Sequence, residues 1–173
     1  MKNTKLITML CLGALIACSP SKKGLEPTSE QVSPRERLIE NLRATPQKGI
    51  MFGHHDDTVY GIGWEFDEGG SDVQKVCGDY PAVISFDLGE IELGGDKSLD
   101  KVPFEKIRKE IINQYNRGGL VSLSWHPRNP KTGGDAWDVS DHAVVKSILP
   151  EGENYEKFQS WLGKVNDFIL SLK

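Results

Sequence analysis

Cysteine is scarce and basic charge is outnumbered, and each shortage removes a class of function. Three cysteines in 173 residues are too few for a disulfide framework or a cysteine-built zinc centre. Lys and Arg number 21 against 25 Asp and Glu, a formal net charge of −4, which argues against nucleic acid as a partner. Long apolar runs are missing too: the stretch from Leu6 to Leu15 is too short to span a bilayer. What is present, 38% apolar and 27% charged residues, is the make-up of one ordinary globular domain.

The leading residues stand apart. Lys2 and Lys5 precede the apolar stretch, and Leu15-Ile16-Ala17-Cys18 closes it with small residues before a cysteine. This resembles a bacterial lipoprotein signal with its lipobox. The resemblance implies a cleaved signal over residues 1–17, a membrane anchor through lipid on Cys18, and a place in the bacterial cell envelope, periplasmic or at the cell surface. An ordinary secretory signal with an incidental Cys18 is the alternative. Loss of Lys2 and Lys5 with the signal takes the formal charge from −4 to −6. Cys11 leaves with it, so Cys77 has no mate and reads as a small apolar core residue.

Residues 18–32, rich in Ser, Pro, Lys and Glu, have little to bury and read as a flexible tether. Ser33-Pro34-Arg35-Glu36 reads as a capping box with proline at the first helical position, opening a helix with Leu38, Ile39 and Leu42 as its apolar residues. The domain runs from there, over residues 33–173.

A pattern then repeats three times. Ile50-Met51-Phe52-Gly53-His54-His55, Ala82-Val83-Ile84-Ser85-Phe86-Asp87 and Leu120-Val121-Ser122-Leu123-Ser124-Trp125-His126 are short apolar runs, each followed by a polar loop and a helical segment. Alternating strands and helices predict an α/β fold with parallel strands. The helix near Ser71 to Cys77 is weak. The next, Phe104 to Asn116, puts Phe104, Ile107, Ile111 and Tyr115 on one stripe before Gly118 and Gly119 stop it. The last, from about Tyr155 to Leu172, repeats Phe158, Trp161, Leu162, Val165, Phe168, Ile169 and Leu172 at helical spacing, a stripe that reads as core.

Alternation along the strands assigns directions. Ile50/Phe52, Ile84/Phe86 and Val121/Leu123/Trp125 face the helices, while Met51/Gly53, Val83/Ser85 and Ser122/Ser124 face the other way. His55, Asp87 and His126 follow on that second face, at the carboxyl edge where barrel proteins place their sites. His54 is the alternative to His55, because parity is weakest at a strand's last residue.

Several residues there could carry chemistry. His54-His55-Asp56-Asp57 invites a metal reading with Asp87 and His126, but neighbouring strand residues face opposite ways and cannot share one ion without a bulge; no metal is expected. The loop from Asp87 to Asp96 contains Glu90 and Glu92, four carboxylates in ten residues. A retaining glycosidase needs two carboxyl groups about 5 Å apart, yet acids in a glycine-rich loop more often cap or meet solvent. A binding role suits Asp87, since carboxylates accept hydrogen bonds from sugar hydroxyls. Trp64 and Trp137 sit in polar loops, where an indole can stack on the C–H face of a sugar. His142 has no such setting and reads as surface.

Four of these segments carry a family resemblance. Phe52-Gly53-His54-His55-Asp56-Asp57, Asp87-Leu88-Gly89-Glu90-Ile91-Glu92-Leu93-Gly94, Ser124-Trp125-His126-Pro127 with Asn129-Pro130, and Gly133-Gly134-Asp135-Ala136-Trp137-Asp138-Val139 together resemble the amino-terminal half of glycoside hydrolase family 26, the endo-β-1,4-mannanases. The likeness runs from Pro34 to Lys173. It implies a (β/α)8 TIM barrel, of which this chain holds about the first three β/α units. It also implies retaining hydrolysis of β-1,4-mannosidic bonds in β-mannan or galactomannan by two glutamates, without a cofactor. His126 matches the family's third-strand histidine beside the sugar, Trp137 matches a cleft-lining tryptophan, and Asp87 and Glu92 fall in the second-strand loop; His55 is a further candidate contact. The family's acid/base glutamate ends the fourth strand and its nucleophile lies on the seventh, and neither has a counterpart before Lys173. A truncated, marginally stable form without catalytic residues is therefore the expectation, with a non-catalytic, membrane-anchored glycan-binding lipoprotein as the alternative.

Overall fold

A computed structural model describes residues 32–173. The signal over residues 1–17, the lipid anchor at Cys18 and all but the last residue of the tether lie outside the described residues. The chain divides after Ala44 into two compact units.

In the first unit, helix α1 (Pro34–Ala44) begins as its sequence requires. The Ser33 backbone N–H donates to Glu36 Oε2 at 2.9 Å, and the Glu36 N–H donates to Ser33 Oγ at 3.2 Å. These reciprocal bonds satisfy two of the amide donors that a helix start leaves free.

The second unit is built on three parallel strands, β1 (Gly53–His55), β4 (Val83–Asp87) and β5 (Leu120–Ser124). They lie side by side in that order. Between the first two come a two-residue antiparallel ribbon, β2 (Tyr60–Gly61) with β3 (Trp64–Glu65), and helix α2 (Asp72–Cys77). Helix α3 (Phe104–Asn116) returns the chain to β5, and α4 (Val144–Ser147) and α5 (Tyr155–Leu170) follow. Among the described residues, no helix is long and apolar enough to cross a membrane.

Register pairs His55 with Ser85, Ser85 with Ser122, and Asp87 with Ser124. Paired residues of parallel strands share a face, so His55, Ser85, Asp87, Ser122 and Ser124 stand on one side. Ile84 and Phe86 point the other way and are fully buried. They pack with Leu88, Ile91, Ile107, Ile111 and Phe168, and Val121, Leu123 and Trp125 close over them. Each such side chain contributes about 1.5–3 kcal/mol by leaving water.

Four expectations need correction. The first strand is shorter than its apolar run: Ile50 is 98% exposed and Phe52 59%, because β1 is an edge strand and the ladder towards β4 ends with the Val83 N–H on the Phe52 carbonyl. On α3, Tyr115 is exposed and Gln114 buried. The Gln114 amide donates to the Pro81 carbonyl at 3.0 Å and its oxygen accepts from Arg117, so a satisfied polar side chain holds the approach to β4. The apolar stripe of α5 is only half core: Trp161 and Phe168 are buried, whereas Leu162 and Ile169 are exposed. Cys77, the last residue of α2 and no part of a core, is exposed, as α2 buries none of its residues.

Candidate functional site

Asp87 ends β4 opposite Ser124, and two residues beyond Ser124 lies His126, on the same face. That offset sets the imidazole over the carboxylate. His126 Nδ1 lies 2.7 Å from Asp87 Oδ2, and the other oxygen, Oδ1, accepts the Gly89 N–H at 2.9 Å. A carboxylate can only accept, so Nδ1 carries a proton, and in the neutral imidazole Nε2 is left as an acceptor. Asp87 is 4% exposed at its side chain and His126 44%: a buried acid orients an accessible base. Gly89 permits this closeness, because a Cβ there would come within 3.2 Å of Asp87 Oδ2 and 3.0 Å of Leu99 Cβ.

The outer surface of the imidazole is met by Trp137. The two rings are nearly parallel, 11° apart with centroids 5.4 Å from each other. Trp137 is 64% exposed, so much of the indole remains open.

Its loop is tied internally. Asn129, buried at 6% exposure, accepts the N–H groups of Lys131 and Thr132 on its side-chain oxygen and donates to the Asp138 carbonyl at 3.1 Å. The Asn129 N–H reaches the Gly134 carbonyl at 2.8 Å, and the Trp137 N–H reaches Asp135 Oδ1 at 3.0 Å. Asp138 accepts from Ser140 and from the Thr132 hydroxyl, bonds that hold its carboxyl below the usual carboxylate range. The indole is thus presented on a cross-braced loop.

The remaining candidates take other places. Glu92 does not reach the open edge; it is 1% exposed. Its Oε2 accepts from Trp125 Nε1 at 2.9 Å and its Oε1 from the Arg128 N–H at 2.7 Å. Buried with both oxygens turned to protein donors, it has no face open to a sugar hydroxyl, which corrects the expected binding role. Glu90 pairs with the Arg128 side chain at 2.6 Å. His55 lies on the same sheet face as Asp87, but its Nε2 turns 3.2 Å from Asp56 Oδ2, and His54 Nδ1 lies 2.7 Å from the His55 carbonyl. Burial pushes the Asp56 carboxyl up to about 6, opposed by His55 and reinforced by Asp100 and Asp87. Trp64, expected in the open, is 8% exposed, its indole N–H on Asp72 Oδ1 at 2.7 Å. His142 is exposed.

Arg128, which pairs with Glu90, has no place in the sequence expectations, and Asp56 and Asn129 enter them only as members of longer segments, although Asp56 holds His55 and Asn129 ties the Trp137 loop. Nothing in the sequence marks these partners; in the structure Asp56 sits at φ 55°, a region that Asp enters more readily than most residues.

Consecutive parallel strands, helix-covered on one face and presenting a carboxylate-held imidazole under an exposed indole at their carboxyl edge, define an α/β protein with its candidate site at the strand ends. The chain belongs to glycosyl hydrolase family 26, whose model matches residues 27–173. A mannan endo-1,4-β-mannosidase of Bifidobacterium adolescentis is 30% identical over 132 residues, which cover 74% of this chain and 13% of that protein. A GH26 β-mannanase from Bacteroides ovatus is 63% identical with a TM-score of 0.77, covering 79% of this chain and 40% of the other. The catalytic domain of a GH26 endo-β-1,4-mannanase from Bacillus sp. JAMB-750 is 28% identical with a TM-score of 0.66, covering 79% and 37%. The chain therefore spans well under half the length of these relatives.

Proposed function

We propose that this chain forms the sugar-holding wall of a cleft that hydrolyses β-1,4-mannosidic bonds in β-mannan or galactomannan, its strands being the first three units of a (β/α)8 barrel. The observation that carries the reading is the stack of Trp137 on a His126 fixed by Asp87. An exposed indole offers a flat apolar face to the C–H side of a pyranose, and Nε2 of the neutral His126 ring accepts a hydrogen bond from a sugar hydroxyl. The names of the family and of the similar mannanases support mannan as the polymer.

Within this reading the described residues bind and orient. Asp87, Glu90 and Glu92 are each committed to protein partners, so proton transfer and nucleophilic attack fall to the two glutamates that the family resemblance assigns to a fourth and a seventh strand. Lipid on Cys18, supported by the lipobox, would hold the protein in the bacterial cell envelope.

Calorimetric titration with mannohexaose tests the reading, alongside a reducing-sugar assay on galactomannan. Saturable binding that weakens at least tenfold in Trp137→Ala supports it, and equal binding by the variant refutes it. Binding without turnover is expected of this chain by itself under both this reading and the non-catalytic glycan-binding alternative, whereas turnover by this chain alone would refute the assignment of catalysis to a fourth and a seventh strand.

A further inference from the structure

The geometry points to Glu92 as the positioning residue that sets His126 in place. The inference rests on the reading of His126 as a sugar contact and adds a buried acid that acts through it.

The β4–β5 ladder runs out at Ser124, whose carbonyl accepts the Leu88 N–H at 2.8 Å. From Trp125 to Arg128, side chains of the preceding loop take over the work of the sheet. Asp87 aims the His126 ring, but it grips only the imidazole. Glu92 grips the chain on both sides of it, through the Trp125 indole N–H at 2.9 Å and the Arg128 backbone N–H at 2.7 Å. Between those anchors lie His126 and Pro127, and proline has a fixed φ. Few soft torsions remain in which His126 could wander.

The anchor is itself held. Ile91, next to Glu92, is part of the core, and the Glu92 carbonyl accepts Lys164 Nζ from α5 at 2.6 Å. Two N–H donors on one buried carboxylate are charge-assisted bonds with little competing water. Trp125 is fixed further by stacking on Phe158, with centroids 5.8 Å apart. The place of His126, and hence its overlap with Trp137, is inherited from Glu92.

Glu92→Gln is the informative change, since it preserves shape and removes one acceptor. A carboxamide has one accepting oxygen and one donating nitrogen, so either Trp125 or Arg128 meets a donor and lets go. The test is nitrogen-15 NMR of the His126 imidazole in the purified full chain. Wild type should show mainly the Nδ1–H form, with ring protons displaced by the Trp137 indole. In Glu92→Gln the tautomers should become mixed and at least half of that displacement should vanish. Glu90→Gln, which frees only the Arg128 side chain, should leave both signals in place. A Glu92 that merely stabilised the fold would lower the melting temperature and leave the His126 signals alone, and that result overturns the proposal.

If Glu92→Gln does not fold, Trp125→Phe decides. It removes the same bond from the other end and keeps an aromatic ring on Phe158, so unchanged His126 signals in that variant also overturn the proposal. Mannohexaose affinity should fall about tenfold in Glu92→Gln. A wild-type chain that binds no manno-oligosaccharide would refute the proposed function, while the His126 signals would still decide the positioning role.

Discussion

Replacing Asp87 by Asn changes one atom and should reverse the polarity of the site. Asp87 is 3% exposed, so water cannot substitute for what it supplies. Its Oδ1 already takes the Gly89 N–H, and an asparagine oxygen would keep that bond. The amide nitrogen would then face His126 Nδ1, 2.7 Å away, as a second donor. The imidazole must respond by moving its proton to Nε2 or by turning away. In either case the acceptor offered to a sugar hydroxyl is lost. A hydrogen bond between uncharged groups, here a sugar hydroxyl and the neutral imidazole, is worth about 0.5–1.5 kcal/mol, so affinity for mannohexaose should drop about 2- to 10-fold. Calorimetry gives the affinity, and imidazole nitrogen shifts give the tautomer. Binding within twofold of wild type, with Nδ1–H retained, would refute the argument.

Other consequences concern stability. The folded protein holds the Asp56 proton up to about 6, against an ordinary 3.8, chiefly through burial. The folded state therefore binds that proton more tightly than the unfolded chain, and stability must fall as pH rises through that window. The loss amounts to about 3 kcal/mol at about 1.4 kcal/mol per unit. Denaturant midpoints for wild type and Asp56→Asn, compared at pH 4.5 and 6.5, should show wild type losing more; parallel losses would contradict the assignment. Gly70→Ala would drive a methyl group into the buried Trp64 ring and should cost about 1–3 kcal/mol, read from the same midpoints. Ile107→Ala, at a fully buried position, should cost about 2–5 kcal/mol, and a cost under 1 kcal/mol would place Ile107 outside the core.

The parts of the fold that repeat locally were legible in the sequence. Alternation in Val83–Asp87 and Leu120–Ser124 assigned the right faces, since one face of each strand packs beneath helices, and the apolar spacing of α3 gave its limits. The capping box at Ser33 worked for the same reason: all its partners lie within one turn. Failures came where distant parts of the chain meet. Nothing near Trp64 announces that Gly70 will leave room for its ring or that Asp72 will take its N–H. Gln114 is buried because Pro81 and Ala82 offer carbonyls to it, which no helical period encodes. Glu92 reads as one more acid in a glycine-rich loop until Trp125 and Arg128 close on it from 33 and 36 residues away. At the site, strand parity brought Asp87 and His126 to one face, whereas the stacking of Trp137 depended on a loop whose ties run through Asn129.

Under the proposed function, Trp137 over His126 is a platform for a mannose ring. Titration of mannohexaose into wild type and Trp137→Ala, with matched circular dichroism spectra, tests it most directly. Trp137 is 64% exposed, so the substitution should leave the fold intact. Wild type should bind saturably, and the variant should bind at least tenfold more weakly. Equal affinity in both would contradict the proposed function.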